Sequence, residues 1–519
     1  MQNQLFSDII HGMKVNEKIA FLEKVIKQKD QQIKLLTEQN NLLNNKVDYL
    51  IRQMFGKKSE IIDSAQLLLS LEGIEYIDLD EDDDDTPPPT TPRPKKKRKY
   101  AKERLPENLP EVREYIDDPD EVKADPSAYN CIGEEETTKL EVTPARFFKK
   151  IKVRRKFVKK DGKSAPVASL LPPQFIDKSI ASESLLAHIA VSKYVDHLPL
   201  YRQEQMFLRQ GIEISRKRMS DWMWQAANWL NPIYDALRNE IIQNHYIQVD
   251  ETPVQYLIPG SGKSHKGYLW AYNVPGIGVV FEWYPSRAAT CLHGMLNDYN
   301  GLIQTDGYKA YDTYNRYREA SGLKPLEHAA CLAHARRNFF IAQKESDLAK
   351  KVLLKINRIY KIERDMRKAG MTGEERQKVR SEKVEPIFSK IKNLLDSSRD
   401  NHLPQSDTGK AIRYALNLWN KLSVFIKNGN IEPDNNLVEN AIRPIALGKK
   451  NWLFFGSSTS GQQSAVIYSI VETCRRLGIN PYEYLLDVFN RLPSMTNQNV
   501  EQLTPSRWLA KREQQKIAS

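Results

Sequence analysis

From Ile19 to Leu50 apolar residues recur in alternating steps of three and four: Ile19, Leu22, Ile26, Ile33, Leu36, Leu43, Val47 and Leu50, with Lys29 and Asn40 on the same seam. This heptad spacing predicts a helix within residues 1–55 that pairs as a parallel two-stranded coiled coil, with Asn40 fixing register against its symmetry mate. A long amphipathic helix packed inside its own chain is the competing account. The pattern then breaks at "EYIDLDEDDDDTPPPTTPRPKKKRKY", acidic, then proline-rich, then basic. It predicts an extended linker over 56–104. Residues 105–165 predict a small β-rich module ending in a strand from Arg146 to Lys160, where basic and apolar positions alternate.

Helical spacing governs residues 170–243. "LPLYRQEQMFLRQGIEISRKRMSDWMWQAANWL" reads as a helix, a turn at Gly211 and a second helix capped by Ser215. The arrangement resembles a helix-turn-helix, although any helical hairpin shares that spacing. From His245 the period changes to two. "HYIQVDETPVQYL" predicts a first strand, "GYLWAYN" and "GVVFEWY" a hairpin around "VPGIG", "AATCLHGMLNDY" a helix, and "GLIQTDGYKAY" a strand ending at Asp306. An α/β core is expected over 244–475, interrupted by a Lys/Glu-rich helical insertion at about 342–428 and followed by a helical tail over 476–519. Within it, "IEPDNNLVENAIRPIALGKKNW" predicts a short helix from about Asn435 to Arg443, because Asp434 can act as N-cap and Pro444 disfavours helical geometry before it.

At 519 residues the chain exceeds what one core can bury. Its net charge of +12 and pI near 9.1 favour a polyanionic partner, nucleic acid or an anionic membrane. Mean hydropathy of −0.59 and the lack of a long apolar run weigh against a membrane, and the N-terminus carries no export signal. Four scattered cysteines, Cys131, Cys291, Cys331 and Cys474, suit a reducing cytoplasm.

Candidate chemistry then narrows the choice. Asp250 on the first strand and Asp306 at the end of the fourth can lie on neighbouring strands, and Glu439 can bring a third carboxylate from the later helix. Three hard oxygen donors in that arrangement suit a pair of Mg2+ ions, with Mn2+ as a substitute, as used in in-line phosphoryl displacement. Candidate phosphate contacts are Arg146, Lys149, Lys150, Lys152, Arg154 and Arg155 on the basic strand and Arg216, Lys217 and Arg218 opening the second helix. Further candidates are Arg336 and Arg337, and Arg443, Lys449 and Lys450 on or near the helix that carries Glu439, although solvated cations have the same signature. Cys331 and His334, with His328, form a weaker metal-like constellation, and Asn436 and Asn440 share a helical face with Glu439. Glu251 should point to the sheet face opposite Asp250.

The motifs "QVDETPV", "IQTDGYKAY", "HAACLAHARRNFF" and "DNNLVENAIRPIALGKKNWLFFGS", in this order, resemble the transposases of the insertion-sequence-66 family. The resemblance extends to "RQMFGKKSE", "IGEEETTKLEVTPARF" and "HLPLYRQEQMF". It implies a ribonuclease-H-like core, an acidic triad of Asp250, Asp306 and Glu439, double-stranded DNA as partner, a homodimer through the coiled coil, and work at a bacterial nucleoid, with accessory proteins of the same element as further partners. The family's small module usually carries paired zinc-binding cysteines, of which only Cys131 remains near those places, so zinc is not expected there. A DNA-binding protein that has lost catalysis is the alternative function, and a coiled-coil interaction protein without affinity for nucleic acid a more distant one.

Overall fold

The computed structural model describes residues 172–344 and 346–518, with short pieces at 29–31, 124, 147–153, 155–157 and 167–168. The coiled-coil seam, apart from three helical residues at 29–31, and the 56–104 linker lie outside the described residues, as do Arg146 and Arg154. The chain divides into two compact units, Ile77–Pro172 and the remainder. In the first, Lys156–Phe157 pairs antiparallel with Val167–Ala168. The expected strand over 146–160 is therefore only two residues long among the described residues. Residues 147–153 are in no strand, and Phe148, Ile151 and Val153 are all exposed, so among the described residues this part of the apolar alternation has no layer to bury against.

The second unit opens with helices α1 (Glu183–Tyr194), α2 (Leu200–Leu208) and α3 (Arg216–Ile242). Gly211 takes φ of +75° at the turn, and the Ser215 hydroxyl accepts from the Arg218 amide to start α3. α3 is 27 residues long and its C-terminal half belongs to the core, with Leu237 and Ile241 packed among Ile247, Val249, Trp270 and Tyr272.

The sheet that follows comprises β1 (Tyr246–Leu257), β2 (Ser264–Val274), β3 (Gly278–Tyr284), β4 (Leu302–Thr305) and β5 (Glu327–Ala330), in the order β3-β2-β1-β4-β5. β1–β2 and β2–β3 are antiparallel, whereas β4 and β5 run parallel to β1. The segment 288–299, expected as one helix, forms a 3-10 turn at Ala289–Leu292 and one α turn at His293–Leu296. Cys291, Leu292, Met295 and Leu296 are all buried there, and core contact rather than helix length satisfies this stretch. Helices α4 (Lys309–Ala320) and α5 (Leu332–Ala342) follow β4 and β5.

The insertion is helical, with α6 (Asp347–Lys368), α7 (Glu385–Ser398) and α8 (Asp407–Asn417) packed in a core that also takes in α5 and Leu302, Ala329 and Ala330 of β4 and β5. Its pivot is Arg380, with no exposed surface. The guanidinium forms a two-bond pair with Glu363 at 2.7 Å and donates to the carbonyls of Phe425, Asn428 and Ile431 at 2.8–3.0 Å. The insertion thereby fixes the loop that leads back to the sheet.

That loop enters α9 (Asn436–Trp452), 17 residues long with Pro444 inside it, in place of the expected short helix ending near Arg443. Pro444 leaves the Asn440 carbonyl without its helical donor, an ordinarily destabilising arrangement. The burial of Val438, Ala441, Ile442, Pro444, Ile445 and Gly448 along one side carries the helix through. Leu453, at φ +64°, turns the chain into β6 (Phe454–Phe455), which lies parallel to the far end of β1. Helices α10 (Ser458–Arg476), α11 (Pro481–Arg491) and α12 (Pro505–Ala518) complete the unit. No described helix is long and apolar enough to cross a membrane.

Removing one member of a buried ion pair strands the other charge, at about 3–5 kcal/mol. Glu363→Ala should therefore lower stability in urea unfolding by about that amount, and a change below ~1 kcal/mol would show that Arg380 finds its compensation in the three carbonyls alone.

Candidate active site

Period-two alternation sorts β1 into two faces. Ile247 and Val249 enter the core shared with α3, while Gln248 and Asp250 face the start of α9. β1 pairs with β4 through Gln248↔Gln304, so Asp250 and Asp306 each lie two residues beyond a matched pair on adjacent strands. Asp306 accepts the Tyr308 amide at 2.8 Å, and its own carbonyl accepts the Tyr414 hydroxyl at 2.6 Å. Asp250 accepts the Glu251 amide at 2.9 Å.

Glu439 reaches the same place from the first turn of α9. Gln248 donates to the Asp434 carbonyl at 3.0 Å, Asn435 donates through Nδ2 to the Val249 carbonyl at 3.0 Å, and the Leu332 amide donates to the Pro433 carbonyl at 3.0 Å. Asp434, expected as the N-cap, accepts the Asn436 amide at 3.1 Å from one position earlier. Glu439 is 8% exposed, with His334 Nδ1 3.5 Å from one carboxylate oxygen and Arg337 Nη2 3.8 Å from the other.

These carboxylates act on one another electrostatically. Burial first, then the charges of Glu251, Glu439 and Asp306, push the Asp250 carboxyl well above its usual range. Burial raises Glu439 to about 7 against the opposing pull of Arg337, with Asp434 and Asp306 adding to the rise. Glu251 also rises to about 7 through burial, opposed by Arg287. Burial and Arg337 lower His334 to about 4, leaving a neutral imidazole at neutral pH. Arg287 pairs with Glu251 and lies 3.9 Å from Asp306. Glu251 thus departs from the opposite face, where Tyr311 contacts it, yet meets the same guanidinium as Asp306.

When ionised, the four carboxylates outnumber the two flanking arginines and repel one another, and Glu439 Oε1 has no hydrogen-bond partner among the described residues. That environment fits a divalent cation.

The remaining sequence candidates are spread more widely. Lys149, Lys150, Lys152 and Arg155 are exposed in the small unit, and Arg216, Lys217 and Arg218 are exposed at the start of α3. Arg336 donates to Asn357 of the insertion at 3.0 Å, and Arg337 serves Glu439. On α9, Arg443 and Lys449 are half-buried, with Lys449 3.4 Å from the Pro253 carbonyl, while Lys450 and Asn440 are exposed. Asn436 is half-buried. Cys331 and His334 stand beside Glu439, whereas His328 turns away to Thr305 at 2.8 Å. Sequence reasoning missed Arg287, Tyr414 and Asn435. Of these only Asn435, a poor helix former ahead of a helix, carried a local signal.

The Transposase IS66 family profile matches residues 178–463, which contain all three acidic candidates. The chain belongs to this family. The IS66 C-terminal element matches 469–506, and the profile described as Transposase C of IS166 homeodomain matches 42–113. Among similar proteins of Sinorhizobium fredii (strain NBRC 101917 / NGR234), the uncharacterized protein y4jD is 33% identical over 489 residues, 90% of this chain and 94% of that one. The uncharacterized protein y4qI is 34% identical over 372 residues, covering 70% and 68%, and y4hP is 28% identical over 499 residues, covering 90% and 88%. Membership of a transposase family makes this a nucleic-acid-processing chain, and a divalent metal suits its acidic cluster.

A carboxyl whose folded pKa is raised contributes stability at low pH and loses it as pH climbs through the folded value. For Glu439 that window runs from its usual 4.5 to about 7. In metal-free protein at pH 8, Glu439→Gln should therefore raise stability by about 1–3 kcal/mol, and the gain should shrink at pH 6 as the native carboxyl takes up its proton. Thermal unfolding in chelator at both pH values measures this; an equal or larger gain at pH 6 would contradict the assignment.

Proposed function

We propose that this chain is a DNA transposase in which Asp250, Asp306 and Glu439 form the catalytic acidic triad, cutting the ends of its element and joining them to target DNA. The observation that carries the reading is the carboxylate cluster where β1, the end of β4 and the first turn of α9 meet, with Glu439 buried and Asp250 and Asp306 half-buried, within the stretch that matches the transposase family. The β3-β2-β1-β4-β5 order, three antiparallel strands followed by two parallel ones, supports a ribonuclease-H-like core.

Asp250, Asp306 and Glu439 would hold Mg2+, with Mn2+ as a substitute, and a bound ion pair supplies stabilisation of the attacking and leaving oxygens of a phosphodiester. The chain's own residues preorganise that chemistry. Tyr414 and the Tyr308 amide fix Asp306 in orientation, Asn435 ties the start of α9 to β1, and Arg287 and Arg337 limit repulsion among the carboxylates. The neutral imidazole of His334 beside Glu439 adds no charge to the site. Water suffices as the nucleophile for cleavage and the freed 3′-hydroxyl for joining, so no side chain need form a covalent intermediate.

The exposed basic residues of the small unit and of α3 supply candidate backbone contacts, and the N-terminal coiled coil would hold two copies together so that two element ends can be paired. Domain limits of 105–165 for the small module, 170–243 for the helical DNA-binding region and 244–475 for the catalytic core belong to the same proposal.

Asp306→Asn should reduce metal-dependent cleavage of element-end DNA at least about a hundredfold, equivalent to roughly 2.7 kcal/mol, while duplex binding is retained. Binding without cleavage by the parent protein in either Mg2+ or Mn2+ would favour the non-catalytic alternative. Replacing Arg216, Lys217 and Arg218 with Ala should flatten the log–log salt dependence of duplex binding by roughly 0.9 for each phosphate no longer neutralised. An unchanged slope would remove α3 from the DNA interface.

A further inference from the structure

A group of different chemistry adjoins the carboxylate cluster. Cys331, at the junction of β5 and α5, His334 one turn into α5, and Glu439 on α9 each offer a ligand atom, and these atoms all lie within 4.8 Å of one another. A thiol, an imidazole and a carboxylate form a borderline-soft donor set, unlike the all-oxygen set that suits Mg2+. We propose that Cys331, His334 and Glu439 form a second cation site selective for Zn2+-like ions, with a fourth position left for water.

Several observations support it. His334 Nδ1 and Glu439 Oε1 face each other at 3.5 Å, yet neither has a hydrogen-bond partner among the described residues. Two buried polar atoms that face each other and make no hydrogen bond leave donor and acceptor capacity unused, and a cation bound by both would use it. Cys331 has no exposed surface and its sulfur accepts the Asn435 amide at 3.2 Å, a contact that a metal-bound thiolate would retain and that would orient it. The His334 side chain is 23% exposed and gives the ion a way in. Tetrahedral zinc places its donor atoms about 3.3–3.8 Å apart, so the cluster needs to contract by only about 1 Å. His328 takes no part, since its ring is committed to Thr305 and faces Asp312.

Binding displaces the thiol proton to solvent, and the ion takes the Glu439 oxygen nearest His334. Ion binding here does not depend on the transposase reading. Its consequence does, because Glu439 would then be shared between a soft ion and the hard ions of the Asp250–Asp306 pair.

The test uses full-length, metal-stripped protein titrated with Co2+ as a spectroscopic stand-in for Zn2+. A sulfur-to-cobalt charge-transfer band should appear at one equivalent, vanish when Zn2+ is added and survive a large excess of Mg2+. Cys331→Ser should abolish the band, while Cys131→Ser and Asp306→Asn should keep it. Retention in Asp306→Asn separates this site from the catalytic carboxylate pair. X-ray absorption of the zinc-loaded parent should show one sulfur in the first coordination sphere, which keeps the proposal testable if Cys331→Ser does not fold. Absence of the band from the parent protein, its loss in Cys131→Ser alone, or a sulfur-free zinc sphere would overturn the proposal.

Discussion

Everything at the site depends on a buried amide clamp between the loop 432–435 and the two central strands. Gln304 donates to the Glu432 carbonyl at 2.8 Å, Gln248 to the Asp434 carbonyl, and Asn435 back to the Val249 carbonyl. None of the three side chains has exposed surface, and Asn273 extends the layer by donating to Gln248 at 2.9 Å. Each bond satisfies a main-chain group that burial would otherwise leave unpaired, at about 1–3 kcal/mol apiece, so the loop has one low-energy docking position. Glu439 follows four residues later on a rigid helix. Its distance from Asp250 is therefore set by neutral amides, which are indifferent to pH and salt, and not by the charged groups that would do the chemistry.

This division of labour lets the carboxylates be placed badly for themselves. Asp250, Glu251 and Glu439 are all held above their ordinary titration range chiefly by burial, a cost in the folded state that the surrounding packing must outweigh. The insertion contributes to that support, since Arg380 grips the Ile431 carbonyl immediately before the clamp. A helical domain that begins more than ninety residues after Asp250 in sequence thus helps decide where the third carboxylate stands.

Much of this was legible in the chain. Alternation from Ile247 to Asp250 set the faces of β1 where the acidic residue stands, Gly211 and Ser215 marked the turn into α3, and the hairpin of β2 and β3 followed from its turn residues. Local rules misjudged the places where tertiary burial opposed them. Pro444 looked like a stop, but six buried non-acidic positions along α9, Pro444 among them, outweighed one missing hydrogen bond. The segment 288–299 looked like a helix because apolar spacing is shared by short turns pressed into a core. Arg287 was invisible because nothing in a loop sequence tells which carboxylate its guanidinium will reach. The partners of Cys331 were hidden for the same reason: His328, near in sequence, turns elsewhere, and Glu439, 108 residues on, comes close.

α9 touches β1 at both ends. Its first turn is tied to Val249 by Asn435, and after the Leu453 turn the chain pairs again with β1, Phe454 opposite Gln255 and Phe455 opposite Tyr256. Strand and helix therefore form a closed bracket, and Glu439 cannot slide along Asp250 without parting both joints together. Amides of β1 between those joints should then have no private route to solvent, and their hydrogen exchange should proceed through opening of the whole sheet and not through local fraying.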